Sequence, residues 1–191
     1  LNTRTEALKI ADAVRVTNNK KSISELDGQK KYSAKWHIAG EHASLLTAAY
    51  SLSDYECISK AISISAICGN SMGWYTALGA SGALSVEESF QVIDQMGAYQ
   101  VGNQIGGQLL YPLQNPDWTL NLDALAIIES LIKEIKGLYW SIHLGYQAVL
   151  GGSAEAIKAA ISALPTQQIG TIEFPLKLPL HSAFHTPYMK E

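Results

Sequence analysis

The chain has 191 residues, of which 47% are hydrophobic and 16% charged, and its formal net charge is −3. This composition can bury a hydrophobic core, which excludes a disordered chain, and the slight acidic excess argues against a nucleic-acid-binding surface. The two cysteines cannot build a disulfide scaffold or a four-cysteine zinc site, and no apolar run reaches the roughly 20 residues of a membrane span. Because no signal peptide opens the chain either, we expect a cytoplasmic protein that binds neither membrane nor nucleic acid.

The first part of the chain predicts helices around one strand. Apolar residues recur at helical spacing over 6–14 and 40–54, and we expect the polar, lysine-rich stretch between them to form a loop. Residues 61–68 read AISISAIC, and this alternation of isoleucine or alanine with serine predicts a strand. The sequence GNSMG follows at 69–73, and the small and apolar residues at 74–84 predict a helix.

A further helix is predicted after these elements. Ser85 and Glu88 have the spacing of a capping box, in which each side chain accepts a hydrogen bond from the other residue's backbone amide. They predict the start of a helix over 86–101. We therefore place an α/β core over residues 1–102.

The stretch 103–178 has the pattern of a small inserted subdomain. Its elements are expected in the order strand, helix, strand, strand, helix, strand, which is the ferredoxin-like order. The predicted boundaries are 106–113, 122–135, 138–142, 147–150, 153–164 and 168–178. Residues 179–191 are expected to return to the core.

The GNSMG sequence carries the clearest chemical signal. A strand, a tight turn with flanking glycines and a helix together form a nucleophile elbow, which presents a serine at the start of the helix. This predicts an α/β-hydrolase-like core with Ser71 as nucleophile. The backbone amide of Met72, the next residue, could stabilise a developing oxyanion.

A serine nucleophile needs a base, and the histidines are the candidates. The sequence has five, namely His37, His42, His143, His181 and His185. The last two lie in a loop-like stretch after a predicted strand, where functional residues often sit. The pattern alone leaves both open. No cluster has the spacing of a metal site, so we expect no bound metal.

Two stretches resemble the malonyl-CoA:acyl carrier protein transacylase family. GNSMGWYTAL at 69–78, followed by ASGALS at 80–85, is similar to the family's first motif, which reads roughly GHSLGEYTAL and AGALS. LPLHSAFHTPYM at 178–189 resembles its second, of the form PVSGAFHSPLM. The family also carries a ferredoxin-like subdomain between these motifs.

The resemblance implies a function for the chain and roles for its residues. Ser71 matches the family's acylated nucleophile and His185 its base, so the two form a Ser-His dyad. The implied reaction transfers malonyl or another short acyl group from acyl-CoA, the substrate, to the phosphopantetheine thiol of an acyl carrier protein, the partner, in fatty-acid or polyketide synthesis. It needs no bound cofactor.

The chain departs from the family pattern at the substrate. Asn70 stands where the family has a histidine before the nucleophile. Met96, beside Gln95, stands at the position of the arginine that pairs with the malonyl carboxylate. Because a thioether cannot replace a cation beside a buried carboxylate, we expect neutral acyl groups at a substrate-binding site formed by these three residues.

Three alternatives stay open at this point. The same scaffold could hydrolyse acyl groups from carrier proteins, with water in place of the thiol. It could also be a catalytically inactive docking module for carrier proteins, although the presence of both Ser71 and His185 argues against this. A serine esterase unrelated to carrier proteins is the weakest alternative.

The ends of the chain do not fit the resemblance. The chain begins with Leu1 and ends at Glu191, whereas the family begins with a strand and a Gly-Gln-Gly loop that supplies a second oxyanion-hole amide. The resemblance therefore implies truncation at both ends, with one half of the oxyanion hole in this chain. On that basis we expect the 191-residue chain to be poorly active by itself.

Overall fold

The chain divides into two compact units, residues 1–102 and 103–191. A computed structural model describes residues 4–58, 61–102 and 105–189. The predicted boundary at residue 103 lies outside the described residues. The return of 179–191 to a core formed by the first unit stays a prediction.

All the regular elements that the structure describes in the first unit are helices. Its helices are α1 (Arg4–Thr17), α2 (Ile23–Asp27), α3 (Ala34–His37), α4 (Gly40–Glu56), α5 (Gly73–Ala80) and α6 (Val86–Gly102). The four longest match the predicted helices, and the capping box is present: the Ser85 amide donates to Glu88 Oε2 at 2.8 Å, and the Glu88 amide donates to Ser85 Oγ at 3.2 Å. This interaction holds the pKa of Glu88 below its usual value.

Two short helices replace part of the loop expected between the first two predicted helices. Helix α2 forms because the side chain of Ser22 caps it, accepting a hydrogen bond from the Glu25 amide at 3.2 Å. Its apolar residues Ile23 and Leu26 are buried. Such short helices owe their stability to tertiary packing, so periodicity gives little warning of them.

The predicted strand at 61–68 is absent. These residues are not assigned to any strand, and Ile62 and Ile64 are 61% and 42% exposed. A strand needs a neighbour to satisfy its backbone amides and carbonyls, and every other regular element described in this unit is a helix. The alternation of side chains was therefore insufficient to form a strand here.

The second unit is a sheet covered by two helices on one face. Its elements are β1 (Gly107–Pro112), α7 (Leu122–Glu134), β2 (Leu138–Leu144), β3 (Gln147–Gly152), α8 (Ala154–Ala163), β4 (Gln167–Ile169), β5 (Ile172–Phe174), β6 (Leu176–Lys177) and the 3₁₀ turn Pro187–Met189. The four-stranded sheet has the order β2-β3-β1-β6, and all its pairs are antiparallel.

The predicted last strand, 168–178, is broken into three. Gly170 adopts φ +59°, which turns the chain between β4 and β5 into a separate two-stranded hairpin. Pro175 has no amide hydrogen to donate to a ladder, and it separates this hairpin from β6. Only β6 pairs with β1 in the main sheet.

The two faces of the four-stranded sheet have different roles. Leu109 of β1 and Leu150 of β3 are paired in register and point into a core with α7 and α8, in which Ile128 and Ile157 are buried. Because side chains alternate along a strand, Gln108 and its register partner Gly151 belong to the opposite face. Residues 181–186 pack on that second face, as described below.

Candidate functional site

Ser71 occupies a tight turn that leads into α5. Its φ is +53°, in the left-handed region that side chains with a Cβ adopt at a steric cost. The residue is half-buried. Left-handed residues other than glycine concentrate at active sites and ligand clamps, and a serine in this conformation before a helix is typical of a nucleophile elbow.

The flanking glycines explain why the chain turns here. A Cβ on Gly69 would overlap the backbone carbonyl of Gly73, so only glycine fits at the first position. The amide of Gly73 donates to the carbonyl of Asn70 at 2.9 Å, and the amide of Trp74 donates to the carbonyl of Ser71 at 3.0 Å. These bonds close the turn and begin the helix. The turn and the helix of the predicted elbow are thus present, without the preceding strand.

The other predicted residues of the first unit lie in two places. Asn70 is exposed and Met72 is half-buried, and both adjoin Ser71 in the turn. Gln95 and Met96 lie on α6, which packs against α5. Gln95 is exposed, whereas Met96 packs on the core of this unit and accepts a hydrogen bond at its sulfur from the side-chain amide of Gln100 at 2.9 Å.

A buried charge cluster lies close to Met96 in the sequence. Asp94 is paired with Arg15 at 2.8 Å and with Lys20 at 2.6 Å, and Asn18 Nδ2 donates to it at 3.0 Å. Arg15 and Asp94 are 0% and 1% exposed. Asp94 of α6 is therefore ion-paired with both Arg15 and Lys20.

Arg15 also binds the first turn of α4. It donates to the carbonyl of Glu41 at 2.5 Å and contacts His42 Nδ1 at 2.8 Å. The other ring nitrogen of His42 is buried without a hydrogen-bond partner in the described residues, 3.5 Å from the Glu41 carboxylate. Burial lowers the pKa of His42. This cluster was not predicted from the sequence, because one arginine and one aspartate far apart in the chain give no local signal.

His185 belongs to the second unit. It is exposed, and its φ is +57°, so it shares the left-handed conformation of Ser71. The preceding residue, Phe184, is fixed through its carbonyl oxygen, which accepts hydrogen bonds from Ser141 Oγ at 2.8 Å and Gln108 Nε2 at 3.3 Å. Neither Gln108 nor Ser141 was assigned a role from the sequence.

His181, the second histidine of this segment, has a structural partner. Its Nδ1 lies 2.7 Å from Gln108 Oε1, and its ring meets the ring of Phe184 edge to face, with centroids 5.8 Å apart. Burial lowers the pKa of His181. These contacts tie its ring to the sheet.

The structure thus groups Asn70, Ser71 and Met72 in one turn of the first unit, with Met96 on the helix that packs against α5. His185 lies in the second unit. In the part of the chain that the structure describes, no group of three or more His, Cys, Asp or Glu residues could hold a metal ion. None of the described helices is both long enough and apolar enough to cross a membrane.

Solved structures of malonyl-CoA:acyl carrier protein transacylases have the same fold. The enzyme from Synechocystis sp. PCC 6803 matches with a TM-score of 0.75 at 13% identity, over 97% of this chain and 57% of its own. The enzyme from Burkholderia pseudomallei matches with a TM-score of 0.73 at 18% identity, over 97% of this chain and 59% of its own. A malonyl transacylase solved in complex with a type II polyketide acyl carrier protein matches with a TM-score of 0.71 at 16% identity, over 97% of this chain and 57% of its own.

Sequence comparison gives no such match. No protein-family model matches the chain, and no curated protein sequence matches it significantly. The chain spans 57 to 59% of the length of the three solved structures named above. It therefore has the mixed helix-and-sheet fold of the malonyl-CoA:acyl carrier protein transacylases, over the part of their length that it spans.

Proposed function

We propose that the chain carries the nucleophile and the base of an acyltransferase that moves an acyl group from acyl-CoA to an acyl carrier protein. The observation that carries this proposal is the left-handed Ser71 in a glycine-flanked turn before α5. The fold likeness supports the same chemistry, and it supports an α/β-hydrolase-like core with a ferredoxin-like insertion. A cytoplasmic location remains part of the proposal.

The proposed reaction has two half-reactions. His185 accepts the hydroxyl proton of Ser71 as its oxygen attacks the thioester carbonyl, and the amide of Met72 donates to the oxyanion that forms. The intermediate collapses, the C–S bond breaks, and the proton returns to the departing CoA thiol. In the second half, the same base takes the proton of the phosphopantetheine thiol, whose sulfur attacks the acyl-serine and restores the Ser71 hydroxyl.

We propose neutral acyl groups as the substrates. Met96 replaces the cation expected beside a malonyl carboxylate, and Arg15 and Lys20, the cations that contact α6 at Asp94, are ion-paired with it. A carboxylate brought to this part of α6 would have to be desolvated without a free cation among the neighbours described above. Exposed Asn70 and Gln95 add polar groups without charge.

The carrier protein is the proposed partner. One of the structural matches is a transacylase solved with an acyl carrier protein, and a serine acylated from CoA needs a second thiol to complete transfer. Fatty-acid or polyketide synthesis is the setting in which such a reaction would operate.

Intact-mass analysis tests the proposal. The protein, purified with its full chain, is incubated with acetyl-, butyryl-, hexanoyl- and malonyl-CoA, first alone and then with a phosphopantetheinylated carrier protein. We expect an acyl adduct on Ser71 that passes to the carrier. The Ser71→Ala variant should form none, while Ser81→Ala, at an exposed serine of the first unit, should behave as wild type. Acylation of the Ser71→Ala protein would contradict the assignment.

Hydrolysis is the second candidate, favoured by Met96 at the arginine position. A carrier protein loaded in advance with an acyl group distinguishes the two reactions. Loss of acyl from the carrier without CoA supports a hydrolase, whereas gain of acyl from CoA supports transfer. Binding of the carrier with neither change would indicate a docking module, and turnover of small esters alone would indicate an esterase.

A further inference from the structure

The segment that carries His185 lies on the face of the sheet away from the helices. A Cβ on Gly151 of β3 would come within 2.7 Å of Thr186 Cγ2 and 3.5 Å of the Phe184 carbonyl oxygen. The chain at 184–186 therefore rests directly on this strand. Gly151 is paired in register with Gln108 of β1, so the side chain of Gln108 reaches the same part of the segment.

The Phe184 carbonyl is the point where the sheet holds the segment. It accepts from Ser141 Oγ at 2.8 Å and from Gln108 Nε2 at 3.3 Å, and Gln108 Nε2 also lies 2.6 Å from Ser141 Oγ. Gln108 is 2% exposed. Because a buried amide is costly unless its hydrogen bonds are made, this network has one favourable arrangement.

Fixing that carbonyl fixes the backbone of His185. The peptide group between Phe184 and His185 is planar, so its carbonyl direction sets the direction of the His185 amide. Rotation about the next bond gives the left-handed φ of +57°, which is costly for histidine unless surrounding contacts impose it. The contacts that hold the carbonyl of this peptide come from Gln108 of β1 and Ser141 of β2.

Ser141 of β2 supplies the hydroxyl that binds the Phe184 carbonyl. The register between β2 and β3 shifts between Trp140 and Ile142, which leaves Ser141 in a β-bulge. Ser141 lies beside Gly151 on the second face of the sheet, since its Cβ would be 3.4 Å from a Cβ on Gly151. Its hydroxyl donates to the Phe184 carbonyl there.

The amide of Gln108 has a definite orientation. Its oxygen accepts from His181 Nδ1 at 2.7 Å, while its nitrogen faces the hydroxyl of Ser141 and the Phe184 carbonyl. A carbonyl oxygen cannot donate, so only this orientation lets Gln108 donate to the Phe184 carbonyl. Gln108 thereby ties both ends of the 181–184 turn to the sheet.

We propose that Gln108 and Ser141 are positioning residues that hold His185 in its working orientation through the carbonyl of Phe184. This rests on the proposed function, in which His185 is the base. Neither residue touches a reacting atom, and both act through the backbone. The segment at 181–186 is set by the sheet beneath it as well as by its own sequence.

The test compares near-isosteric variants with matched controls. Gln108→Glu keeps the shape and the acceptor for His181 but removes the amide donor. Ser141→Ala removes the hydroxyl, and Ser141→Thr restores it. The controls are Gln168→Glu and Ser162→Ala, at exposed residues with only local hydrogen bonds, to Gly170 and Lys158.

Two measurements are made on the protein with its full chain. The first is the rate constant and half-saturating concentration for acylation of Ser71 by its best acyl-CoA. We expect Gln108→Glu and Ser141→Ala to lower the rate constant about 10- to 100-fold, the cost of misplacing a catalytic group by about 1 Å, with the half-saturating concentration little changed. Ser141→Thr should recover most of the rate, and the controls should match wild type.

The second measurement does not depend on activity. The ring nitrogens of His185 are followed by ¹⁵N nuclear magnetic resonance during a pH titration, with the melting temperature recorded for each variant. We expect the titration midpoint and the shifts of His185 to move in Gln108→Glu and Ser141→Ala and to stay in place in the controls. Wild-type shifts in both variants would overturn the positioning role, as would wild-type rates in folded variants.

The two proposals can fail separately. If wild-type protein accepts no acyl group while the His185 resonances still respond to Gln108→Glu and Ser141→Ala, the acyltransferase proposal fails and the network retains its control of His185. If Ser71 is acylated and neither variant changes the rate or the resonances, the positioning proposal alone is wrong.

Discussion

The Cα of Gly69 faces the carbonyl of Gly73 at a distance that leaves no room for a Cβ. The obstacle is backbone, so no side-chain rotation can relieve it. The turn that presents Ser71 therefore depends on a missing methyl group at residue 69. This relationship ties the conformation of the nucleophile to a residue that takes no part in the chemistry.

Gly69→Ala should disrupt the turn and strongly slow the acylation of Ser71. The added methyl must push residues 69 and 73 apart, which moves Ser71 away from the start of α5 and costs about 100-fold or more in rate. Intact-mass measurement of the acyl-enzyme checks this. Gly73→Ala is the matched control, because a Cβ at Gly73 meets no atom within 4 Å. Equal acylation of the two variants would contradict this account of the elbow.

The pair of Arg15 and Asp94 should be the most sensitive polar contact of the first unit. Arg15→Met leaves Asp94, 1% exposed, with Lys20 as its remaining cation, and breaking a buried pair in this way costs about 3–5 kcal/mol of unfolding free energy. Arg4→Met is the comparison, since the Arg4 side chain is 51% exposed and surface pairs contribute about 1 kcal/mol or less. Urea unfolding measures the unfolding free energy of both variants. Similar losses in the two would contradict a larger contribution from the buried pair than from the surface pair.

Stability of the first unit should fall as the pH is lowered from 7.5 to 5.5. Burial lowers the folded-state pKa of His42 below its ordinary value of 6.5, so the unfolded chain binds a proton at this residue before the folded chain does. The contribution is complete above the unfolded pKa and is lost as the pH falls through that value toward the lowered one.

His42→Asn provides the test of this pH dependence. Its side-chain oxygen can replace Nδ1 as the acceptor for Arg15, but it does not titrate. We expect a smaller loss of unfolding free energy between pH 7.5 and 5.5 than in wild type. His143→Asn, at an exposed histidine of the second unit, should keep the wild-type loss. A wild-type slope in the His42→Asn protein would rule out His42 as the origin.

Met96→Arg should favour acyl groups that carry a carboxylate. A charged hydrogen bond at this position stabilises a bound malonyl group, so the preference for malonyl-CoA over acetyl-CoA should rise about tenfold or more. The ratio of the two acylation rates measures this. Gln91→Arg places the same charge at an exposed residue of α6 and should leave the ratio unchanged. An unchanged ratio in Met96→Arg would remove this residue from the proposed substrate site.

Local patterns predicted the local structure well. The capping box of Ser85 and Glu88 correctly predicted helix α6, and the patterns over 106–164 correctly predicted strands β1, β2 and β3 and helices α7 and α8. The helices and the β2–β3 hairpin are held by hydrogen bonds between residues close in sequence, and a pattern read along the chain contains that information. β1 has the pattern of a strand, but its partners β3 and β6 lie farther along the chain.

One predicted strand did not form, and two contacts between distant residues were not predicted. Residues 61–68 alternate as a strand does, yet no described strand pairs with them. Arg15 donates a hydrogen bond to Asp94, 79 residues away, and Gln108 donates one to the carbonyl of Phe184, 76 residues away. Neither pairing leaves a trace in local spacing. The glycines at 69 and 73 predicted the turn around Ser71. No local pattern predicted that Gln108 and Ser141 would bind the carbonyl of Phe184, the residue before His185.

The left-handed backbone at Ser71 sets stability against activity. A glycine at this position has no Cβ, so it adopts φ +53° without the steric cost that serine carries. The Ser71→Gly protein should therefore be chemically inert and at the same time harder to unfold than the active one. Selection for stability alone would replace Ser71 with glycine. A serine at this position is therefore expected only if its hydroxyl has a function.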